Sequence, residues 1–134
     1  MSSFVRWSRF GFNVAAWLFV ACCAVQVYLA GVGVFSADRD FSAHLAFSVF
    51  GVLTIVLIVL SMIGRTPRRI VGASALLLVL FAVQSILIQF YRELPPNPAV
   101  AAFHPVNGFL IFFIGIWTAW TTRAYLRAPR VQPI

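Results

Sequence analysis

The stretch Phe41–Ile63, FSAHLAFSVFGVLTIVLIVLSMI, decides the fold of this chain. It contains no aspartate, glutamate, lysine or arginine, and about 20 apolar helical residues suffice to cross the roughly 30 Å of hydrocarbon in a bilayer. Backbone polar groups in lipid must pair internally, which a helix achieves within one segment and a lone strand does not. The stretch is therefore predicted to be a transmembrane helix.

Three further apolar stretches of similar length complete the predicted architecture. The chain of 134 residues is 62% hydrophobic and 10% charged, which is more apolar than a soluble domain of this size can hide from water. The connecting segments are short, and none is long enough for a soluble domain. The sequence predicts an all-α membrane protein, a single domain over 1–134 that forms a four-transmembrane-helix bundle with helices near 10–35, 41–63, 70–91 and 100–124.

The distribution of charge predicts the orientation of the bundle. All ten basic residues are arginine, and most of them flank one end of the predicted helices. The connections at the other end carry Asp38, Arg39 and Asp40 in one and Arg92 and Glu93 in the other. By the positive-inside rule, both termini lie in the cytoplasm of a multi-pass protein of the bacterial inner membrane. The arginines on the predicted cytoplasmic side are Arg6, Arg9, Arg65, Arg68, Arg69, Arg123, Arg127 and Arg130.

The net charge of +7 is accordingly explained by topology and by contact with the lipid bilayer. It is not a nucleic-acid signature, because no basic folded surface is predicted to carry one. Cys22 and Cys23 are adjacent and point about 100° apart on a helix, so packing is the expected role of both.

An internal repeat divides the chain into two halves. The segment AVQVYLAGVGVFSADRDFSAHLAF runs over 24–47, and AVQSILIQFYRELPPNPAVAAFHPVNGF runs over 82–109. Each contains Ala-Val-Gln in an odd-numbered helix, an arginine in the outer connection and a histidine near the start of the next helix. The two helical hairpins are predicted to form a parallel pseudo-repeat that sets His44 and His104 at equal depth, facing each other across the bundle.

Two facing histidines in a four-helix bundle are the arrangement that holds a b-type haem. Small residues on the same faces, Ser48 and Gly51 after His44 and Gly108 after His104, leave room for a flat macrocycle. Arg39 and Arg92, one in each outer connection, are candidates to pair with the haem propionates. A plainer interpretation stays open, in which each histidine only bonds a loop carbonyl or a headgroup and the small residues serve helix packing.

Three more polar or kinked positions are interpreted from their places in the helices. Gln26 and Gln84 are expected near the middle of the bilayer, either as hydrogen-bonding links between helices or as contacts to a quinone or a haem edge. Pro105 fits the first position of a helix, with His104 as its flank, or a kink one turn inside it.

The motifs VQVYLAGVGVF, HLAF and AFHPVNGF resemble those of a family of small uncharacterised four-helix bacterial membrane proteins, over nearly the whole chain. More distantly, the layout is similar to one half of haem A synthase, a four-helix unit with paired histidine haem ligands. That resemblance implies His44 and His104 as axial ligands. The catalytic glutamate expected in helix 1 and the outer-loop cysteines of that enzyme have no counterpart, so the resemblance does not extend to synthase activity.

Together these features predict a haem b-binding membrane protein for electron transfer or haem handling, with no catalytic activity of its own. The alternative is a cofactor-free accessory subunit that packs against a larger membrane protein complex. No carboxylate lies inside a predicted membrane span, and no nucleophile–base pair or phosphate loop is visible.

The predicted orientation is tested by a reporter fused after Ile134. A reporter that is active only in the cytoplasm should be active there, because the arginines cluster at that end of the helices. Activity of a periplasm-specific reporter at the same position would reverse the orientation and put both histidines on the cytoplasmic side.

Overall fold

The computed structural model describes the backbone of residues 2–93 and 98–127 and the side chains of residues 2–88 and 99–126. All regular structure in these residues is helical. The helices are α1 (Ser3–Phe35), α2 (Ser42–Phe47), α3 (Val52–Ile63), α4 (Arg68–Glu93) and α5 (Pro98–Arg127), and a 3₁₀ turn (Ser48–Gly51) joins α2 to α3.

Four helical segments are long and apolar enough to cross a membrane, which confirms the predicted all-helical membrane fold. They are Ser3–Phe35, Ser42–Ile63, Arg68–Ile88 and Ala99–Leu126. Helix α1 packs against α3 and α5, and α4 packs against the same two helices, so the four spans form a closed ring. Many large apolar side chains face outward, Val49 at 76% exposure and Phe103 at 62% among them, as expected for a surface in contact with lipid.

Aromatic and aliphatic side chains from all four spans fill the interior. Phe12, Phe19, Leu57 and Leu77 are completely buried. The ring of Phe19 lies 5.6 Å from that of Phe50, and Phe50 in turn meets Phe81 edge to face at 5.3 Å. This chain of rings connects α1, the 3₁₀ turn and α4 across the bundle.

Hydroxyl side chains occupy much of the remaining helix–helix contact. Small polar residues let helix backbones approach closely in a membrane, and each hydroxyl bonds a carbonyl of its own helix. Thr54, for example, donates to the Gly51 carbonyl at 2.7 Å. The others buried in this way are Ser8, Ser61, Ser74, Thr118 and Thr122.

The helices begin and end at different places from those that hydropathy alone predicts. Helix α1 starts at Ser3, so Arg6 and Arg9 lie inside it and do not precede it. Helix α4 continues through Glu93, which places Arg92 in its last turn and not in a loop. Helix α5 begins at Pro98, so Pro105 is an interior proline, the second of its two predicted positions.

The packing of Phe19 generates a stability prediction. Phe19→Ala should lower the free energy of unfolding by about 3 kcal/mol, because it empties a fully buried volume next to Phe50 and Gly115. Phe113→Ala is the matched control, since that ring is 63% exposed and should change stability little. Unfolding in a detergent mixture, followed by helical circular dichroism, measures both. Equal losses would mean that the interior is not packed around Phe19.

Candidate functional site

Gln26 and His44 join the two helices of the first hairpin near the end of α1. The Gln26 Nε2 amide lies 3.2 Å from His44 Nε2 and donates to the His44 backbone carbonyl at 2.9 Å. His44 Nδ1 lies 3.0 Å from the backbone carbonyl of Gln26. Three hydrogen bonds therefore join α1 to the short helix α2 through a single pair of residues.

These contacts determine the tautomer of His44. A carbonyl oxygen only accepts hydrogen bonds, so Nδ1 carries the proton and donates it to the Gln26 carbonyl. The Gln26 amide nitrogen only donates, so Nε2 is the acceptor and keeps its lone pair. In this arrangement the Nε2 lone pair of His44 is occupied by the Gln26 amide.

The second hairpin has the same kind of glutamine–histidine contact, with Asn107 as an additional partner. Gln84 Nε2 lies 3.1 Å from His104 Nε2, between α4 and α5. Asn107 donates to Gln84 Oε1 at 2.7 Å and to the Leu80 carbonyl at 2.8 Å. Because Asn107 fixes Gln84 Oε1 as an acceptor, the Gln84 amide nitrogen is the donor to His104, and Nε2 of this histidine is also an acceptor.

The two histidines predicted from the repeat lie next to each other. Their ring centres are 6.3 Å apart, and the ring planes cross at 63°. Both rings are partly buried. Among the described residues, two buried atoms of this cluster have no hydrogen-bond partner, namely Gln26 Oε1 and His104 Nδ1. The cluster therefore keeps unused hydrogen-bonding capacity at these two atoms.

The connection between α1 and α2 carries charged residues just before His44 in the chain. The Ser42 backbone N–H, and then its hydroxyl, donate to the Asp40 carboxylate and lower the pKa of that group. The negative charge of Asp40 lies at the amino end of α2, where it is favourable. Arg39 is exposed and adopts a left-handed conformation with φ 52°. The side chain of Arg92, the other predicted propionate partner, lies outside the described residues.

The small residues predicted to border a cofactor are covered by side chains. A methyl group added at Gly51 would meet the Phe81 ring, and one added at Gly108 would lie 3.6 Å from Gln84 Nε2. Ser48 donates to the Leu45 carbonyl at 2.6 Å, one turn beyond His44. Gly51 thus allows the Phe81 ring to lie close to the backbone of the 3₁₀ turn, and Gly108 allows the Gln84 side chain to lie close to that of α5.

Two sequence interpretations of this region are corrected. Gln26 and Gln84 were expected deeper in the bilayer than the histidines, whereas each lies at the level of the histidine it contacts. His104 was expected at a helix start, but α5 begins six residues earlier, so the effect of the helix end on this ring is small. Asn107 was missed, although its place three residues after His104 puts both on one helical face.

The fold and this cluster define a multi-pass helical membrane protein with a paired glutamine–histidine site. In comparison with known sequences, residues 26–90 match a family of unknown function (DUF6220). This agrees with the expected similarity to an uncharacterised family, and the matched stretch includes Gln26, His44 and Gln84. No curated protein and no solved structure matches the chain.

The two glutamine contacts should differ in strength. Gln84→Leu should lower the free energy of unfolding by about 1–2 kcal/mol, near the upper end for hydrogen bonds between membrane helices, because it leaves both ring nitrogens of His104 without a described partner. Gln26→Leu should cost less, because His44 Nδ1 keeps its backbone acceptor. Ser85→Leu, at an exposed position next to Gln84, is the control. A larger loss for Gln26→Leu would contradict this hydrogen-bond assignment.

Proposed function

We propose that this chain is a haem b-binding protein of the bacterial inner membrane that serves electron transfer or haem handling, with His44 and His104 as the axial ligands. The observation that carries the proposal is the 6.3 Å separation of the two ring centres. Metal–imidazole bonds are about 2 Å long, so two opposed ligand nitrogens lie about 4 Å apart and their ring centres about 6 Å apart. The distance between the two ring centres is therefore close to that of two ligands on one metal, whereas each Nε2 atom is directed at a glutamine amide in this structure.

The protonation of the rings supports the same assignment. Metal-ligating histidines usually donate their other ring N–H to a carbonyl or carboxylate, which orients the ring and raises its basicity. His44 does so through Nδ1 and the Gln26 carbonyl. Both Nε2 atoms accept a hydrogen bond from a glutamine amide, so a metal would bind each lone pair by displacing that amide. The donor set is that of a bis-histidine haem.

The space that a porphyrin would need beside the two histidine rings is filled by side chains and not by backbone. The surface of Gly51 is covered by the Phe81 ring, and that of Gly108 by the end of Gln84. Rotation of these side chains would expose Gly51 on the 3₁₀ turn and Gly108 on α5. Bound haem would supply one-electron chemistry, while the residues of this chain hold and orient it. Arg39 is the candidate partner for a propionate.

The proposal includes the parallel pseudo-repeat and the cytoplasmic termini. Support for the repeat comes from the two equivalent contacts, Gln26 with His44 and Gln84 with His104, each between an odd-numbered span and the next one. Support for the orientation comes from the arginines at the opposite end of the bundle.

The competing proposal is a cofactor-free accessory subunit, and the same hydrogen bonds favour it in a different way. In that case the glutamine–histidine pairs only brace the hairpins, as buried polar groups in membrane helices commonly do. The two functions differ in what replacement of a histidine changes. A brace affects stability alone, whereas a ligand also affects an absorption spectrum.

The absorption spectrum of the full-length protein, purified after haem-replete expression, tests the proposal. A Soret band is expected, with sharp alpha and beta bands on reduction. His44→Ala or His104→Ala should abolish or convert the low-spin spectrum, because each removes an axial ligand. Gln26→Leu should retain the spectrum, because it removes a hydrogen bond and no ligand.

A pair of glycine variants separates steric exclusion from general damage. Gly108→Leu should block haem uptake, because a leucine there enters the space next to Gln84. Gly31→Leu is the matched control, since a methyl group added at Gly31 would have no atom within 4 Å and a larger side chain fits there. A colourless wild-type protein, with histidine variants that only lower thermal stability, would reject haem binding and favour the accessory subunit.

A further inference from the structure

A second polar feature lies at the opposite end of the bundle from the histidines. A half-open cavity of about 450 Å³ is lined by Ser2, Val5, Arg9 and Arg65. It separates the beginning of α1 from the turn between α3 and α4. Two of its four lining residues are arginines, and the amino end of α1, which carries a partial positive charge, borders it as well.

Arg9 is held in a fixed position at this cavity. Its Nε donates to the Gly64 carbonyl at 2.6 Å and its Nη2 to the Arg65 carbonyl at 3.3 Å. The guanidinium carbon also lies 5.0 Å from the centre of the Tyr125 ring. Because an arginine has five N–H donors, these two bonds leave further donors directed away from the backbone contacts. Gly64 permits the approach, since an added methyl group would lie 3.1 Å from Arg9 Cγ.

Arg65 occupies a position where glycine is the favoured residue. Its φ is 47°, and its N–H bonds the Met62 carbonyl at 3.0 Å while the Thr66 N–H bonds the Ser61 carbonyl at 3.1 Å. This pair of bonds is the Schellman motif that ends a helix, with the left-handed residue usually glycine. The arginine side chain is exposed and lines the cavity. The turn thus carries a cation where its backbone conformation favours glycine.

No aspartate or glutamate side chain that the structure describes lies near the positive charge at this end. The three acidic residues of the chain are Asp38, Asp40 and Glu93. The first two precede α2, and Glu93 ends α4, about 38 Å along the helix from its start at Arg68. Among the described side chains, Arg9 and Arg65 therefore have no partner of opposite charge, and an anion from outside the chain would supply one.

We propose that this cavity binds a phosphate group at the membrane surface. A phosphate offers several oxygen acceptors to guanidinium groups, which recognise it with charge-assisted hydrogen bonds. Basic pockets between membrane helices commonly bind anionic lipid headgroups, which makes an anionic phospholipid one source of the phosphate, and free inorganic phosphate is the other. The site is independent of the haem proposal, because it shares no residue with the histidine cluster.

The test is a thermal-shift titration of the full-length protein in a neutral detergent. The probes are soluble short-chain phosphatidylglycerol, the matching short-chain phosphatidylcholine and inorganic phosphate. Phosphatidylglycerol or inorganic phosphate should raise the melting temperature in a saturable manner, and phosphatidylcholine should not. A response to phosphatidylglycerol alone identifies a lipid headgroup, and a response to both anions identifies phosphate itself.

Variants of Arg65 separate binding from folding. Arg65→Gln should weaken the affinity for the active anion about tenfold, the effect of losing one charge-assisted contact. Arg65→Gly should weaken it equally while the unliganded melting temperature stays the same or rises, because glycine favours the observed φ. Arg123→Gln is the matched control, since it removes an exposed arginine outside the cavity.

Two results would overturn the proposal. One is that neither phosphatidylglycerol nor inorganic phosphate raises the melting temperature of the wild type more than phosphatidylcholine does. The other is an equal loss of affinity in Arg65→Gln and Arg123→Gln, which would mean that diffuse charge and not the cavity attracts the anion. Neither result depends on the colour of the protein, so this proposal and the haem proposal fail separately.

Discussion

Hydrogen bonding without water is the constraint on which the rest of this structure depends. It makes each span a helix, and it also determines which partners the polar side chains bond, according to their length. Short hydroxyls such as Thr54 and Ser74 bond carbonyls of their own helical segment. Glutamine and asparagine side chains reach a neighbouring helix instead, as Gln26 and Asn107 do. The polar side chains that link neighbouring helices are therefore the longer ones, and three of them, Gln26, Gln84 and Asn107, meet at the two histidines.

Hydropathy was enough to predict the four spans, and the repeat was enough to bring His44 and His104 together. The depth of Gln26 was not predictable, because it depends on a connection that folds back. Helix α1 runs nine residues beyond Gln26, whereas α2 begins only two residues before His44. The chain returns along α1, with Phe41 and Asp40 packed against Gly33. That close approach, invisible in hydropathy, puts the glutamine at the level of the histidine.

The two hairpins are similar but not equivalent, and the differences lie just after each histidine. In the first hairpin the helix tightens into the 3₁₀ turn Ser48–Gly51, which brings Gly51 against Phe81. In the second, Pro105 removes one backbone donor and Asn107 adds a side-chain donor. Both irregularities adjust backbone that borders the rings. Only in the second hairpin does another side chain, that of Asn107, hold the glutamine by bonding its Oε1 atom. The glutamine partners of the two histidines are therefore held with different rigidity.

Each hairpin contributes one ring, so the histidine pair exists only when the two hairpins pack together. The ring chain Phe19–Phe50–Phe81 enforces that packing directly beneath the pair, because it joins residues of both hairpins. At the other end, Arg9 performs a similar task through the Gly64 carbonyl and the Tyr125 ring. Arg9 and Gln26 are 17 residues apart on α1, about 25 Å along one helix. Helix α1 thus connects the hydrogen-bonded histidine cluster at one end of the bundle to the cationic cavity at the other, and buried apolar side chains such as Phe12 and Phe19 lie between the two.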